Sequence, residues 1–333
     1  MTEEKSAGGL KVRGLTTTFA TQRGTALAVD RLDLDVGSGE VVGLVGESGS
    51  GKSVTLRSIV RLVREPGHVT GSVEWQGRDL MTMTDAEIRK VRGAEIAMIF
   101  QEPMTALNPV LPIRLQIEEN LKAHTTLDRR AIRTRALELM NIVGIPAAAR
   151  RLDDYPHQFS GGMRQRVMIA IALASSPKLL LADEPTTALD VTIQDQILKL
   201  ILDLRDQFRM SVVLVTHDLG VVAATCDRMA VMYAGRIVET GSVASTFAEP
   251  HHPYTRGLLG SVPRIGLERT TLASIEGTPP SLIDLPAGCA FHPRCAFASE
   301  RCRAEYPPVE TFGEHRTVAC FHHREVAAMA EAA

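Results

Sequence analysis

Apolar runs and amphipathic stretches take turns along most of the chain. Alternating or continuous apolar positions predict strands at residues 10–19, 26–36, 41–45, 95–100, 178–183, 211–215 and 228–235. Apolar residues at helical spacing predict helices after Ser160 and over residues 52–63, 116–124, 129–145 and 191–208. Strands that alternate with helices in this way are typical of an α/β fold with a mostly parallel sheet.

The composition changes near Ser242, where the chain becomes rich in proline, histidine and arginine, as in EPHHPYTRGLL. A length of 333 residues is typical of about two domains. We therefore expect a main domain at residues 1–245, which includes a mostly helical part at about 104–166. A smaller C-terminal extension is expected at residues 246–333.

Charge and hydropathy restrict the possible partners. The 37 Lys and Arg nearly balance the 39 Asp and Glu, so the composition provides no basic surface for nucleic acid. No apolar run reaches the ~18 residues that a membrane helix needs, and the polar start MTEEKSAGG is unlike a signal peptide. We expect a soluble protein of the cytoplasm that does not bind nucleic acid.

A glycine-rich loop separates the predicted buried strand at 41–45 from the next helix. It matches the pattern GxxxxGK[ST] with Gly46, Glu47, Ser48, Gly49, Ser50, Gly51, Lys52 and Ser53. Such a loop lets backbone N–H groups and a helix N-terminus face phosphate groups. Lys52 is placed to reach the β- and γ-phosphates of a nucleotide, and Ser53 to ligate Mg²⁺. A strand-to-helix turn without a ligand is the alternative, and eight matching positions in the right context disfavour it.

Two further polar sites lie at a strand end and at a helix start. Asp183 and Glu184 follow an apolar run, where Asp183 suits Mg²⁺ and Glu184 suits an attacking water. A solvated strand end is the plainer interpretation of that pair taken alone. Ser160, Gly161 and Gly162 open a helix and offer a second anion site, although this tripeptide alone is a common helix entry. Two phosphate-binding helix starts suggest half-sites that a facing copy or homologue completes.

The segments GESGSGKS, IFQEP, FSGGMRQR, LLLADEPTTALD and VTHD follow one another within residues 10–240. In this order and spacing they resemble the ATPase subunits of ABC transporters. The resemblance implies an α/β P-loop cassette with a RecA-like mixed-sheet core, N-terminal antiparallel strands and a helical subdomain. It also implies a head-to-tail dimer, with ATP held between the phosphate loop of one subunit and the SGG helix of the other.

The same resemblance implies roles for residues outside the phosphate loop. Gln101 corresponds to a glutamine that senses Mg²⁺ and contacts the membrane partner, and Asp190 to an aspartate that links the two ATP sites. His217 corresponds to a histidine that holds the γ-phosphate and orients Glu184 and the water. Without the family, His217 would be a lone histidine after an apolar strand. Phe19 is a candidate to stack on adenine and is equally a candidate core residue.

The segments QEPMTALNPVLPI, HHPYTRGLL and CAFHPRCAFASERC extend the resemblance to nearly the whole chain. They resemble ATP-binding subunits of dipeptide and oligopeptide importers, a group that includes nickel importers. This implies two transmembrane permease subunits, an extracytoplasmic solute-binding protein and often a second ATPase, with the chain on the cytoplasmic face of the inner (plasma) membrane. An ABC ATPase acting on DNA or ribosomes is less favoured, because those proteins usually carry coiled coils, inserted zinc modules or two fused cassettes.

Four of the five cysteines lie close to the C-terminus, with the spacing C-x5-C-x6-C-x17-C: Cys289, Cys295, Cys302 and Cys320. In a reducing compartment such a cluster indicates a metal site before disulfides. The spacing matches neither a zinc ribbon nor the common ferredoxin patterns. Four thiolates suit a [4Fe–4S] cluster, which the resemblance to peptide importers also implies. Zn²⁺ and unliganded thiols remain as alternatives.

Arginines and histidines of the extension could contribute to a metal site, whereas the fifth cysteine lies outside the extension. The arginines expected to offset the charge of an anionic cluster are Arg294, Arg301, Arg303 and Arg316. The histidines that could replace a thiolate on zinc are His292, His315, His322 and His323. Cys226 lies apart from the others and is expected to be a small buried apolar residue.

Overall fold

The computed structural model describes residues 9–187, 189–261, 275–313 and 315–329. Within these ranges the strands are β1 Leu10–Thr21, β2 Gly24–Val36, β3 Val41–Val45, β4 Gly67–Trp75, β5 Arg78–Asp79, β6 Ile96–Ile99, β7 Leu179–Asp183, β8 Ser211–Thr216, β9 Arg228–Tyr233, β10 Arg236–Ser242, β11 Glu310–Phe312 and β12 Arg316–Val318. The helices are α1 Lys52–Ile59, α2 Asp85–Val91, α3 Pro103–Ala106, α4 Ile113–His124, α5 Arg129–Ile142, α6 Ala148–Arg151, α7 Gly161–Ala172, α8 Val191–Phe208, α9 Leu219–Thr225, α10 Val243–Ala248, α11 Pro253–Gly260, α12 Glu300–Ala304 and α13 His323–Ala328.

The described residues fall into two compact units. The first contains Gly37–Glu40 and Thr82–Val215. The second contains the described residues of the ranges 9–36, 41–81 and 216–329. The phosphate loop therefore belongs to the second unit, and the pair Asp183 and Glu184 to the first.

The first unit contains a parallel arrangement of β6, β7 and β8. Ile96 pairs with Leu179, and Leu179 pairs in turn with Ser211. Every residue of β7 is buried, as the continuous apolar run that precedes Asp183 predicts. Helices α4, α5 and α7 pack on one another in the segment between β6 and β7. This arrangement brings Asp183 to the carboxyl end of a buried strand, the edge where α/β sheets place their ligands.

The second unit holds two sets of strands. In the order β2-β1-β4-β5 all neighbours are antiparallel, and Leu10, Leu15 and Trp75 are fully buried among them. In the order β11-β12-β10-β9-β3 the strands β9 and β3 are parallel, whereas the other neighbours are antiparallel. The second set is therefore a mixed sheet, and the first is antiparallel, which confirms the mixed-sheet core and the N-terminal antiparallel strands that the resemblance to ABC cassettes implies. The parallel pairing predicted from the alternating pattern holds for β6, β7 and β8 and for β3 with β9, and not for β10, β11 and β12.

Several predicted boundaries are corrected by the structure. The helix predicted over residues 52–63 ends at Ile59, and the left-handed backbone of Arg61 prevents its continuation. Strands β4 and β10 and helix α2 carry no clear periodic signal, because only part of each is buried. Helix α8 begins and ends where its apolar spacing predicts.

In the described part of the chain, no helix is long and apolar enough to cross a bilayer.

Candidate functional site

The phosphate loop joins β3 to α1, and its backbone requires glycine at two positions. Gly46 has φ +153° and Gly51 has φ +107°. A Cβ atom at Gly46 would collide with the carbonyl oxygen of Met232, and one at Gly51 with the carbonyl oxygen of Ala28. The loop is therefore held against neighbouring backbone with no room for side chains at these two points.

Lys52 and Ser53 are the first two residues of α1, directly after Gly51 at the N-cap. Lys52 is buried, and its ammonium donates hydrogen bonds to the carbonyl oxygens of Gly46 and Glu47, both at 2.8 Å. Its charge is thus kept inside the curve of the loop at the positive end of the helix. A loop of this shape with an inward lysine and a hydroxyl beside it fits a nucleotide phosphate and Mg²⁺.

Asp183 ends β7 as a buried carboxylate, and Glu184 begins the loop that follows. The carboxylate of Glu184 accepts a hydrogen bond from the Thr187 hydroxyl at 2.7 Å and one from the Gln101 amide at 3.3 Å. Gln101, predicted as a site residue from the IFQEP segment, thus contacts Glu184, the predicted general base. These two donors orient the carboxylate, and an oriented carboxylate within reach of a water molecule can act as a general base.

Glu184 also adopts a left-handed backbone, with φ +44°. A non-glycine residue in this region costs on the order of 1–3 kcal/mol, and such strain is concentrated at functional sites. The hydrogen bond from the Glu184 N–H to the Val215 carbonyl, at 3.0 Å, helps to hold the conformation.

The SGG segment forms the start of α7. Ser160 is its N-cap, and the side chain of Ser160 accepts a hydrogen bond from the Met163 N–H at 3.4 Å. Ser160 and Gly161 are exposed, so this helix N-terminus faces outward. A Cβ atom at Gly162 would lie 2.7 Å from the Ile193 side chain of α8. Because α8 approaches so closely, this position requires glycine.

The remaining predicted residues lie at the ends of elements or in β1, which is paired with β2 on one side and β4 on the other. Asp190 caps α8 and accepts a hydrogen bond from the Ile193 N–H at 3.0 Å. His217 is exposed in the turn after β8. Phe19 lies in β1 and is half-buried with its ring against Gly67, so it is not sealed in the core.

Sequence reasoning missed Thr187, whose hydroxyl donates a hydrogen bond to the Glu184 carboxylate at 2.7 Å. The signal was available, because a threonine three residues after an acidic residue can bond back to it in a turn. It also missed Tyr254 and Arg294, whose contacts with Glu47 join positions far apart in the sequence.

The four C-terminal cysteines line one small cavity of about 10 Å³ in the second unit, together with His252, Phe291 and His292. None of the five cysteines forms a disulfide. Burial raises the pKa of Cys295 to about 11 and that of Cys320 to about 12, and it also raises the pKa of Cys289. Burial thus disfavours the charged thiolate form of these three cysteines. Among the described residues, no three histidine, cysteine or acidic side chains lie at metal-ligand spacing.

The arginines of the extension lie near the cysteines in the sequence, but three of them contact other groups in the structure. Arg294 pairs with Glu47, and Arg316 pairs with Glu249 at 3.1 Å. Arg301 lies over the Phe321 ring, 4.0 Å from its centre. Because the guanidinium groups of Arg294 and Arg316 are held by carboxylates, the prediction that they offset an anionic cluster is wrong for these two.

Comparison with known proteins gives matches in both parts of the chain. The ABC transporter family matches residues 29–187, and the C-terminal region of oligopeptide/dipeptide transporters matches residues 238–302. The chain is 49% identical over 314 residues to the dipeptide transport ATP-binding protein DppD of Escherichia coli K12, which covers 94% of this chain and 96% of that relative. It is 50% identical over 318 residues to the oligopeptide transport ATP-binding protein AppD of Bacillus subtilis 168, covering 95% and 97%.

A solved structure supports the fold. The ATP-binding cassette MJ0796, in a dimeric post-hydrolysis state bound to ADP and Pi, superposes with a TM-score of 0.64 at 31% sequence identity. The match covers 70% of this chain and 98% of that chain. The P-loop fold and the two full-length relatives lead to one conclusion: the chain is an ATPase that belongs to the ABC-transporter family, in the group of dipeptide and oligopeptide transport ATP-binding proteins.

Proposed function

We propose that this chain is the subunit that hydrolyses ATP to drive import of di- or oligopeptides through a membrane complex. The observation that carries the proposal is the match of residues 238–302 to the C-terminal region of oligopeptide/dipeptide transporters, in addition to the cassette. A cassette alone would support ATP hydrolysis without indicating a solute. Relatives named for dipeptide and for oligopeptide transport cover almost the full chain, which supports this class of solute.

Within this proposal the phosphate loop, residues 46–53, binds the phosphates of ATP. Lys52 contacts the β- and γ-phosphates, and Mg²⁺ is held by Ser53, Gln101 and Asp183. Mg²⁺ supplies charge neutralisation on the phosphates when it is bound. Phe19 stacks on the adenine ring. The hydrogen-bond network of Glu184 supports its assignment, because a carboxylate fixed by two donors can orient a water and accept its proton.

A second ATPase subunit completes each nucleotide site in this proposal. The helix start at Ser160, Gly161 and Gly162, whose first two residues are exposed, serves the ATP bound to the facing subunit, because an outward N-terminus attracts anionic phosphate. Asp190 links the two sites, and His217 holds the γ-phosphate and orients the water on Glu184. The partner is a second copy of this chain or a homologous ATPase.

The proposed complex places the chain on the cytoplasmic face of the inner (plasma) membrane. Its partners there are two transmembrane permease subunits, and a solute-binding protein on the other side delivers the peptide. We assign the ATPase domain to residues 1–245, with the helical subdomain at about 104–166, and the transporter-type extension to residues 246–333. The alternation of β6, the helices α4, α5 and α7, and β7 supports the helical part of this division.

We further propose that the four C-terminal cysteines hold a [4Fe–4S] cluster, with Zn²⁺ as the alternative. The support is the chemistry of the donor set, because three thiols from residues 289–302 and the thiol of Cys320 line one cavity. The thiols do not lie at ligand spacing, so loading requires them to move together. A bound group would stabilise the extension, because the free energy of metal binding adds to the free energy of folding.

Replacement of Cys295 by serine tests this cluster. We expect anaerobically purified chain to contain about four iron and four sulfide per chain, and Cys295→Ser to lose most of both. Cys226→Ser is the matched control, since Cys226 lies outside the cavity and should leave the metal content unchanged. Zinc without iron would replace the cluster by a structural zinc site. Absence of both metals would refute a metal site.

Uptake of labelled solutes tests the transport function. We expect cells that lack this chain to lose uptake of labelled di- or oligopeptides, and the wild-type chain to restore it. Uptake of labelled nickel in the same cells is the control. Loss of nickel uptake with unchanged peptide uptake would overturn the assignment to peptides while leaving the ATPase assignment intact.

A further inference from the structure

Two residues from the C-terminal segment contact Glu47, the second residue of the phosphate loop. The guanidinium of Arg294 donates to both carboxylate oxygens of Glu47, at 2.7 Å from Nη1 and 2.9 Å from Nη2. The backbone N–H of Glu47 donates to the Tyr254 hydroxyl at 2.8 Å. The side chain and the backbone of one loop residue are thus both held by residues more than 200 positions further along the chain.

Arg294 is fixed for this contact. Its side chain is only 4% exposed, and its Nε donates to the carbonyl oxygen of Glu276 at 2.9 Å. Nη2 also approaches the carbonyl oxygen of Ile275 at 3.3 Å, and Nη1 approaches the Tyr233 hydroxyl at 3.4 Å. A guanidinium held at its base presents two parallel donors to one carboxylate, which is a strong and directional pairing.

Tyr254 is equally fixed. It has no exposed surface, and its ring packs against those of Tyr233 at 4.6 Å and Phe291 at 5.4 Å between centres. It is the second residue of α11, and its backbone N–H donates to the imidazole of His252 at 3.0 Å. The hydroxyl therefore reaches the loop from a rigid aromatic cluster.

The negative charge of Glu47 would affect phosphate binding if it were not paired. A carboxylate in a loop that binds phosphates repels the ligand, and Glu47 is only 26% exposed, so water screens its charge poorly. Arg294 neutralises that charge. The backbone N–H of Glu47 donates to the Tyr254 hydroxyl, and the carbonyl oxygen of Glu47 accepts from the Lys52 ammonium. Both backbone polar groups of Glu47 are therefore held by hydrogen bonds.

We propose that Arg294 and Tyr254 are positioning residues for the phosphate loop, through which the C-terminal segment sets the affinity of the chain for ATP. The proposal rests on the ATPase assignment, and it is independent of the transported solute and of the metal at the cysteines. Arg294 and Tyr254 act through Glu47 and need not touch the nucleotide.

Arg294→Met in the full chain tests the charge effect. We expect the Kd of a fluorescent ATP analogue to rise about tenfold, and kcat at saturating ATP to stay unchanged. Adding Glu47→Gln to Arg294→Met should restore most of the affinity, because it removes the unpaired charge. Arg316→Met is the matched control, since it breaks an ion pair with Glu249 in the same extension and should leave the Kd unchanged.

Tyr254→Phe tests the hydrogen bond between the Tyr254 hydroxyl and the Glu47 N–H, and it tests the proposal independently if Arg294→Met does not fold. It removes one hydroxyl while keeping the ring packing, and we expect a Kd increase of several-fold. An unchanged Kd in both variants would overturn the proposal. So would failure of Glu47→Gln to improve binding in the Arg294→Met background, because loss of affinity would then come from general loosening of the extension.

Discussion

Glu184→Gln is expected to bind ATP with the affinity of the wild-type chain and to hydrolyse it roughly 100- to 10,000-fold more slowly, the range for loss of a general base. Glutamine has the same shape and retains an oxygen that accepts from Thr187 and Gln101, so the loop geometry should persist. We also expect the left-handed backbone at this residue to persist, because the substitution changes no backbone atom and keeps the shape of the side chain. Single-turnover hydrolysis with pre-bound ATP measures the chemical step separately from binding.

The matched control is Glu138→Gln on α5, where the exposed carboxylate pairs with Arg135. It makes the same chemical change on the surface of the first unit and should leave turnover unchanged. Hydrolysis by Glu184→Gln at the wild-type rate would remove Glu184 from the role of base. The strain at its backbone would then need another explanation.

Lys52→Met is expected to weaken ATP binding roughly 100-fold, because it removes charge-assisted hydrogen bonds to the phosphates worth up to about 3 kcal/mol. Methionine keeps most of the buried stem, so the change reports on the ammonium more than on packing. Equilibrium binding of ATP with Mg²⁺ measures the effect, and thermal unfolding without nucleotide verifies that the chain is folded.

Lys199→Met on α8 is the control for Lys52→Met, since Lys199 is exposed and pairs only with Asp195 among the ion pairs of the described chain. Its ATP affinity should equal that of the wild type. Unchanged affinity in Lys52→Met would contradict the assignment of residues 46–53 as a phosphate loop. Loss of affinity in both lysine variants would indicate a non-specific effect of net charge.

The strands and helices with strong apolar patterns could be predicted from sequence, and those with weak burial could not. Helix α8 shows a full amphipathic stripe, and β7 is buried throughout, so both stand at their predicted positions. Strand β4 has only two fully buried residues, Val73 and Trp75, which leaves too little alternation to detect. The antiparallel pairing of β9 with β10 depends on a tight turn at Ala234 and Gly235, both with positive φ, and periodicity does not reveal it.

The candidate site could be predicted where local sequence determines local geometry. The phosphate loop and the caps Ser160 and Asp190 depend on neighbouring residues, so a motif suffices to find them. The contact of Arg294 with Glu47 depends on tertiary folding across the second unit. Proximity in sequence suggested that Arg294 serves the cysteines, whereas its side chain turns to the phosphate loop.

ATP hydrolysis by the complete membrane complex, measured with and without a peptide-loaded binding protein, tests whether this chain drives peptide import. We predict hydrolysis that increases when peptide is present, and that is lost in both Lys52→Met and Glu184→Gln. The complex carrying Glu138→Gln should behave as the wild type. Hydrolysis that proceeds at the same rate without peptide and persists in Glu184→Gln would contradict the account.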